Sequence, residues 1–262
     1  MTQKRIVVVG AMGRMGQMVR QAVSRHPDFV LGGALERNGH PDLGRDVDGT
    51  TLTDDPKAAI SQGDVVIDFS IPESTLTNLR AAADQGVAYV TGTTGFDVAG
   101  LEKLHGYAER IPVVHAPNFS IAVNVLAWLV REASAKLGEG FDAELFELHH
   151  SAKRDAPSGT ALRLAEAVAE GRNQKLDEKL LLERAGDTGA RADGTIAVQT
   201  LRGGDSPGEH TVLFIGKGER LELVHRAATR EHFAEGAVRA ASWLVGRAPG
   251  LYRIEEIFGL DG

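Results

Sequence analysis

The stretch ELHHSAKRDAPSGTAL, residues 147–162, brings two adjacent histidines, a lysine and a small-residue turn into sixteen positions. His149 and His150 end a strand-like run, so their side chains point to opposite sides. Lys153 follows in a loop. Pro157 and Ser158 then stand where a helix start is capped, and the amides of Gly159 and Thr160 at that start offer a carboxylate site. One reading is a basic surface loop. The other is a site that holds an anion and hands it a proton. Hydride addition to a conjugated imine leaves electron density that a positioned cationic acid protonates, and lysine with histidine offsets the charge of a dicarboxylate. HHxxK supplies no third His, Asp or Glu at ligand spacing, so no metal site is expected.

Such residues need a scaffold, and the first hundred residues describe one. RIVVVG (5–10) is a β-branched run ending at glycine, the pattern of a strand buried on both faces. A helix follows through Met15, Val19 and Val23 and stops before Pro27. Strands are expected at 29–36, 65–70 and 88–94 and in IPVVHAPN, with helices at 73–85 and around 98–109. Strands alternating with helices imply right-handed parallel crossovers, hence an α/β doubly wound sheet of Rossmann type.

Its first turn, GAMGRMG, carries glycines at 10, 13 and 16. Glycine lets backbone approach a pyrophosphate, and the helix start supplies free N–H groups and a favourable dipole. Glu36 closes the second strand twenty residues after Gly16, where a carboxylate accepts hydrogen bonds from a ribose. Arg37 beside it suits a 2′-phosphate. Both NADH and NADPH are therefore expected cofactors. Two loops at strand carboxyl ends, GTTG (92–95) and APNFS (116–120), are candidates for the nicotinamide end. Asp68, in DFS, reads equally well as a turn-former.

Beyond Asn118 the text changes. SIAVNVLAWLVREASAKLG predicts a long amphipathic helix with Val125, Leu126, Leu129 and Val130 on its apolar face. TIAVQTLRG, HTVLFIG and RLELVHRAA predict three strands at hairpin-length spacing, and REHFAEGAVRAASWLVGR a helix returning to the first domain. The expected second domain is α+β with a mixed, largely antiparallel sheet. The expected boundaries are 1–119, completed by 230–262, for dinucleotide binding and 120–229 for the second, substrate-binding domain.

Composition narrows the function. Hydrophobic content of 42%, charged content of 25% and a net charge of −7 are those of a globular protein without a general nucleic-acid surface. There is no cysteine, which excludes disulfides, thiolate-zinc sites and thiol nucleophiles. The first apolar run spans only four residues, too short for a signal peptide or a membrane span, so a cytoplasmic protein without membrane contact is expected.

Taken in order, GAMGRMG, DFSIPES, GTTGF, APNFS, ELHHSAKRDAPSGTAL, GDSPGEHTVLF and PGLYRIEEIFGL resemble the dihydrodipicolinate reductase family of the diaminopimelate–lysine pathway, across nearly the whole chain. The resemblance implies reduction of a cyclic dicarboxylate by hydride from a nicotinamide, with loss of the 4-hydroxyl as water. It implies that Gly10, Ala11, Met12, Gly13, Arg14 and Met15 hold the pyrophosphate, Glu36 the ribose and Arg37 the extra phosphate of NADPH. Gly92, Thr93 and Thr94, with Ala116, Pro117, Asn118 and Phe119, would contact the nicotinamide half. His149 and Lys153 match the proton-donating pair, and His150, Gly159 and Thr160 match substrate contacts. A homotetramer assembled through the second sheet is implied as well. Two departures stand out: Ser151 where the family often carries arginine, for which Arg202 is a candidate substitute, and Ala122 where glycine is frequent.

Two rivals are weaker. Another dinucleotide-dependent dehydrogenase of the aspartate-semialdehyde type needs a cysteine nucleophile, which is absent. A catalytically silent cofactor sensor has no use for His149, Lys153 and the Gly159–Thr160 helix start together.

Overall fold

The computed structural model describes residues 3–260. The first segment runs β1 (Lys4–Val9), α1 (Arg14–Arg25), β2 (Phe29–Leu35), β3 (Asp46–Val47), β4 (Thr50–Thr53), α2 (Pro56–Ile60), β5 (Val65–Asp68), α3 (Pro72–Gln85), β6 (Ala88–Thr91), α4 (Val98–Ala108) and β7 (Pro112–His115). The chain then builds α5 (Ile121–Leu137), β8 (Asp142–His149), α6 (Gly159–Gly171), β9 (Leu180–Leu181), β10 (Ile196–Arg202), β11 (Glu209–Ile215) and β12 (Arg220–Arg226). It finishes with α7 (Glu231–Leu244), β13 (Gly250–Tyr252) and α8 (Ile254–Phe258). Residues 1–120 and 231–262 form one compact unit, and 121–230 form the other.

In the first unit eight strands lie in the order β13-β7-β6-β5-β1-β2-β4-β3. Every pairing is parallel except β3 with β4. The apolar run of β1 explains why this sheet needs helices on both faces. Ile6 and Val8 point to one side and pack with α1 and α7; Val7 and Val9 point to the other and pack with α2, α3 and α4. A strand buried on both faces has no polar alternation to show. The short β3, β4 and α2 (residues 46–60) add to the elements expected from sequence, because two- to five-residue elements carry too little periodicity to read.

The second unit holds a five-stranded sheet in the order β12-β11-β8-β10-β9. One face packs on α5 and α6 through Leu145, Val198, Val212, Phe214, Leu126, Val130, Leu164 and Val168. β8 with β11 and β11 with β12 are antiparallel, while β8 with β10 and β10 with β9 are parallel. The sheet is thus mixed, as expected, and its antiparallel ladders, of seven residue pairs each, outweigh the parallel ones, of seven and two. The hairpin-length spacing misled at one place, because β8 inserts between β10 and β11 and separates two strands adjacent in sequence. In α5 the buried stripe is Val123, Leu126, Ala127, Val130 and Ser134, while Leu129 is exposed. The helix is therefore rotated from the face predicted.

Candidate functional site

In the first unit, β1 ends at Gly10, whose φ of +65° turns the chain toward α1. A β-carbon on Gly16 would lie 2.0 Å from the Gly10 carbonyl oxygen, so only glycine lets α1 start this close to the turn. The N-cap, Gly13, makes no side-chain capping bond, and an uncapped helix start suits a phosphate group. Glu36 Oε1 accepts from the Met12 amide at 3.0 Å and Oε2 from the Arg37 amide at 3.1 Å. The carboxylate therefore shapes the turn besides facing the cleft. That cleft, of about 520 Å³, is lined by Gly10, Glu36, Arg37, Asn38, Asp54 and Ser74 among others.

The two other loops join through a buried polar network. Asp68, fully buried, accepts from Tyr89 Oη at 2.5 Å and the Ser70 amide at 2.8 Å. Burial raises its carboxyl above the ordinary value, and these bonds only partly offset that. Asp68 is more than a turn-former, because it ties β5 to β6. Thr75 Oγ1 donates to Thr93 Oγ1 at 2.8 Å, and His115 Nε2 meets the Thr93 carbonyl at 3.0 Å. A carbonyl only accepts, so that nitrogen carries the proton. Thr93 and Phe119 are 2% and 1% exposed, so what they can offer a ligand is backbone. Thr94 and Pro117 are exposed, Gly92 and Asn118 half-buried, and Ala116 buried.

In the second unit, sheet register assembles the other cluster. Parallel pairing sets Glu147 beside Thr200 and His149 beside Arg202. Antiparallel pairing sets Glu147 beside His210 and His210 beside His225. Paired residues share a face, so these side chains form a polar patch at one end of the inner face. Glu147 is fully buried. It accepts from His149 Nδ1 at 2.6 Å, Arg202 Nη1 at 2.8 Å, the Ser158 amide at 3.0 Å and Thr200 Oγ1 at 3.3 Å. A buried carboxylate left alone costs several kcal/mol; a bond to a charged group returns about 1.5–3 kcal/mol, so this many donors are needed. Burial pushes Glu147 up, but Arg202, His149 and Ser158 outweigh it and the carboxyl lies below its ordinary value.

Burial, only partly countered by Glu147, holds the His149 ring below its usual pKa. Gly208, with φ of +151°, lies against its other nitrogen: a β-carbon there would be 2.8 Å from Nε2. Lys153 Nζ pairs with both oxygens of Asp155 at 2.9 and 2.8 Å, and Arg202 Nη2 donates to the Asp155 carbonyl at 2.6 Å. His150 Nε2 lies 3.2 Å from Arg230 Nη2 and, facing a donor, accepts. At the opening of α6, Ser158 Oγ accepts from the Ala161 amide at 3.1 Å, with Gly159 and Thr160 between the two. Ser151 is exposed, with Oγ 3.5 Å from the Gly204 carbonyl oxygen. Ala122 is an exposed residue of α5.

Sequence reasoning missed Glu147, Asp155, His210 and Arg230. For Glu147 the signal was present: alternation along ELFELHH puts it on the face of Leu145 and His149. Ring centroids of His149 and His210 are 5.2 Å apart, and Ser158 Oγ lies 3.1 Å from His210 Nε2. Burial first, then the neighbouring His149, lowers His210 to about 3. The unfolded chain binds a proton at this histidine near pH 6.5, so between those values the unfolded state holds more protons and stability rises with pH. Thermal melts are therefore expected to fall from pH 7 to pH 5, with a slope approaching ~1.4 kcal/mol per pH unit, and His210→Gln to flatten that slope. A melting temperature independent of pH over this range would contradict the buried neutral ring.

Among the described residues, no group of three or more His, Asp or Glu is arranged to hold a metal, and no helix is long and apolar enough to cross a membrane.

Residues 4–119 match the family described as dihydrodipicolinate reductase, N-terminus, and residues 122–258 match dihydrodipicolinate reductase, C-terminus. The chain is 46% identical to the 4-hydroxy-tetrahydrodipicolinate reductase of Anaeromyxobacter dehalogenans (strain 2CP-1), covering 98% of each chain. It is also 46% identical to that of Ralstonia pickettii, over 98% of this chain and 100% of the relative. Its fold is similar to the dipicolinate-bound dihydrodipicolinate reductase of Paenisporosarcina sp. TG-14, with a TM-score of 0.77 and 25% identity over 97% of this chain and 99% of that one.

Proposed function

The chain belongs to the dihydrodipicolinate reductase family, and on that basis we propose which residues carry each part of the family's reaction. It reduces 4-hydroxy-tetrahydrodipicolinate to tetrahydrodipicolinate with NADH or NADPH, in the route to diaminopimelate and lysine. One hydride and one proton enter the substrate, and the 4-hydroxyl leaves as water. The nicotinamide cofactor, when bound, supplies the hydride. Residues 10–15 receive its pyrophosphate against the start of α1, Glu36 its adenosine ribose and Arg37 the 2′-phosphate of NADPH. Residues 92–94 and 116–119 border the nicotinamide half, chiefly through backbone.

Lys153 and His149 manage the proton. His150 and the opening of α6 at Gly159 and Thr160 receive the substrate carboxylates, where N–H groups and a helix dipole favour an anion. What supports this assignment most is a single observation: a carboxylate-held histidine, an ion-paired lysine and a helix start lie together on one polar patch. A coupled assay tests it. A dihydrodipicolinate synthase generates the unstable substrate in place, and oxidation of NADH and of NADPH is followed separately. Oxidation that depends on the synthase is expected with both; cofactor binding without oxidation would overturn the assignment.

The enzyme works in the cytoplasm as a homotetramer built through the second sheet. The face of that sheet opposite α5 and α6 carries Phe146, Leu201 and Val224 in neighbouring rows, each 41–47% exposed, and neighbouring exposed apolar groups mark an interface. Phe146→Glu is expected to lower the solution mass, measured by light scattering, from tetramer to smaller species. A variant of unchanged mass would remove this face as the interface.

A further inference from the structure

Beneath the proton-handling pair lies a group that neither delivers a proton nor is within reach of solvent. Glu147 is fully buried, yet it is bonded to His149, Arg202, Ser158 and Thr200. His149 Nδ1 and Arg202 Nη1 converge on one oxygen, Oε2, while the Ser158 amide and Thr200 Oγ1 converge on Oε1. Arg202 then passes its second amino group to the Asp155 carbonyl, and the Asp155 carboxylate holds Lys153 Nζ. Ser158 in turn caps α6 through Ala161.

The chemistry of the bond to His149 is directional. An ionised carboxylate only accepts, so the proton of the neutral ring sits on Nδ1 and the lone pair on Nε2. Nε2 is the nitrogen that faces Gly208, where the missing β-carbon leaves it room. The groups around the ring are Glu147 on its own strand, Arg202 on β10, His210 on β11 with His225 beyond it on β12, and Lys153 with Asp155 in the following loop. Of these, only Glu147 is within hydrogen-bonding distance of Nδ1 as an acceptor.

We propose that Glu147 is the positioning residue of this site: it fixes the Nδ1–H tautomer of His149, leaving Nε2 to exchange the proton, and through Arg202 and Ser158 it sets the Lys153 loop and the opening of α6 in register with that nitrogen. This rests on the proton-handling role given to His149 and Lys153 above. Glu147 does not touch the substrate. It acts as the third member of a nucleophile- or acid-orienting set does elsewhere, by choosing which ring nitrogen is available.

Glu147→Gln is the sharp test because its amide keeps the size and removes the charge. Its oxygen can replace only one carboxylate oxygen: with that oxygen kept toward the Ser158 amide, the NH₂ meets Nδ1 and Arg202 Nη1, and of these two only the imidazole can turn acceptor, by taking the opposite tautomer. Nitrogen-15 NMR of the imidazoles, without substrate, is expected to show the proton of His149 on Nδ1 in the wild type and on Nε2 in Glu147→Gln. In the coupled assay kcat is expected to fall on the order of 10²-fold or more, with NADH affinity unchanged. The acid limb of kcat/KM should move to lower pH, since the carboxylate no longer favours the imidazolium. Glu147→Asp keeps the charge and should restore the Nδ1–H signal and much of the turnover. A wild-type ring protonated on Nε2 overturns the proposal even if neither variant folds. A Glu147→Gln enzyme with wild-type turnover and pH limb also overturns it. Were the wild-type tautomer as expected but synthase-dependent oxidation absent, it is the assigned reaction that would fall instead.

Discussion

Lys153→Ala is expected to lower turnover on the order of 10²- to 10⁴-fold, the range by which a positioned acid or base assists proton transfer. The ammonium is the fixed cation next to His149 on its loop, held in place by both oxygens of Asp155. That pairing holds the Asp155 carboxyl below its ordinary value, chiefly through the Lys153 hydrogen bond. On the role proposed for Lys153, its removal deletes the proton source, and it leaves Asp155 without its ion-pair partner. NADH binding, measured by fluorescence titration without substrate, should not change, because Lys153 belongs to the unit formed by residues 121–230 and the dinucleotide turn to the other. Turnover equal to wild type would remove Lys153 from the proton chemistry.

Glu36→Ala acts on the other half of the reaction. Its carboxylate accepts from the Met12 and Arg37 amides, and hydrogen bonds to a charged group contribute about 1.5–3 kcal/mol each. Truncation therefore loosens the glycine turn as well as deleting the proposed ribose acceptor. NADH affinity is expected to drop on the order of ten- to a hundredfold. NADPH should suffer less, since Arg37 remains for the 2′-phosphate and a repelling carboxylate is gone. The preference ratio thus shifts toward NADPH, readable from the two dissociation constants. Equal losses for both cofactors would show that Glu36 shapes the turn without reading the ribose.

These expectations draw unequally on sequence and structure. The β1–turn–α1 segment was legible because its information is local: a β-branched run, three glycines and an amphipathic helix are adjacent in the chain. The helix start after Ser158 was legible for the same reason, and its serine does cap α6. Glu147 lies two residues before His149, but its importance comes from Arg202, Thr200 and His210, which reach it only through sheet register. Register between β8, β10 and β11 is a long-range property, settled by packing on α5 and α6, and no window of the sequence contains it. The misplaced hairpin is the same failure seen in topology. The apolar face of α5 was misjudged by one position because Val125 and Leu129 are as hydrophobic as the residues that are buried. Side-chain type alone cannot say which of two adjacent stripes meets the sheet.

The return of the chain to its first unit has a consequence for how the protein is made. Helix α7 contributes Ala234, Ala237, Val238, Ala241 and Leu244 to the core shared with α1 and β1, and β13 adds the strand beside β7. Those residues leave the ribosome only after the whole of 121–230 has been synthesised. At about 5–20 residues per second, the nascent sheet of the first unit waits on the order of ten seconds for its missing helix. During that interval the apolar stripe of α1 (Val19, Ala22, Val23) has no α7 to cover it, and by its end the inserted unit has every strand and helix it needs. The unit begun first is therefore finished last, and the hazard of aggregation during synthesis falls on the dinucleotide-binding half.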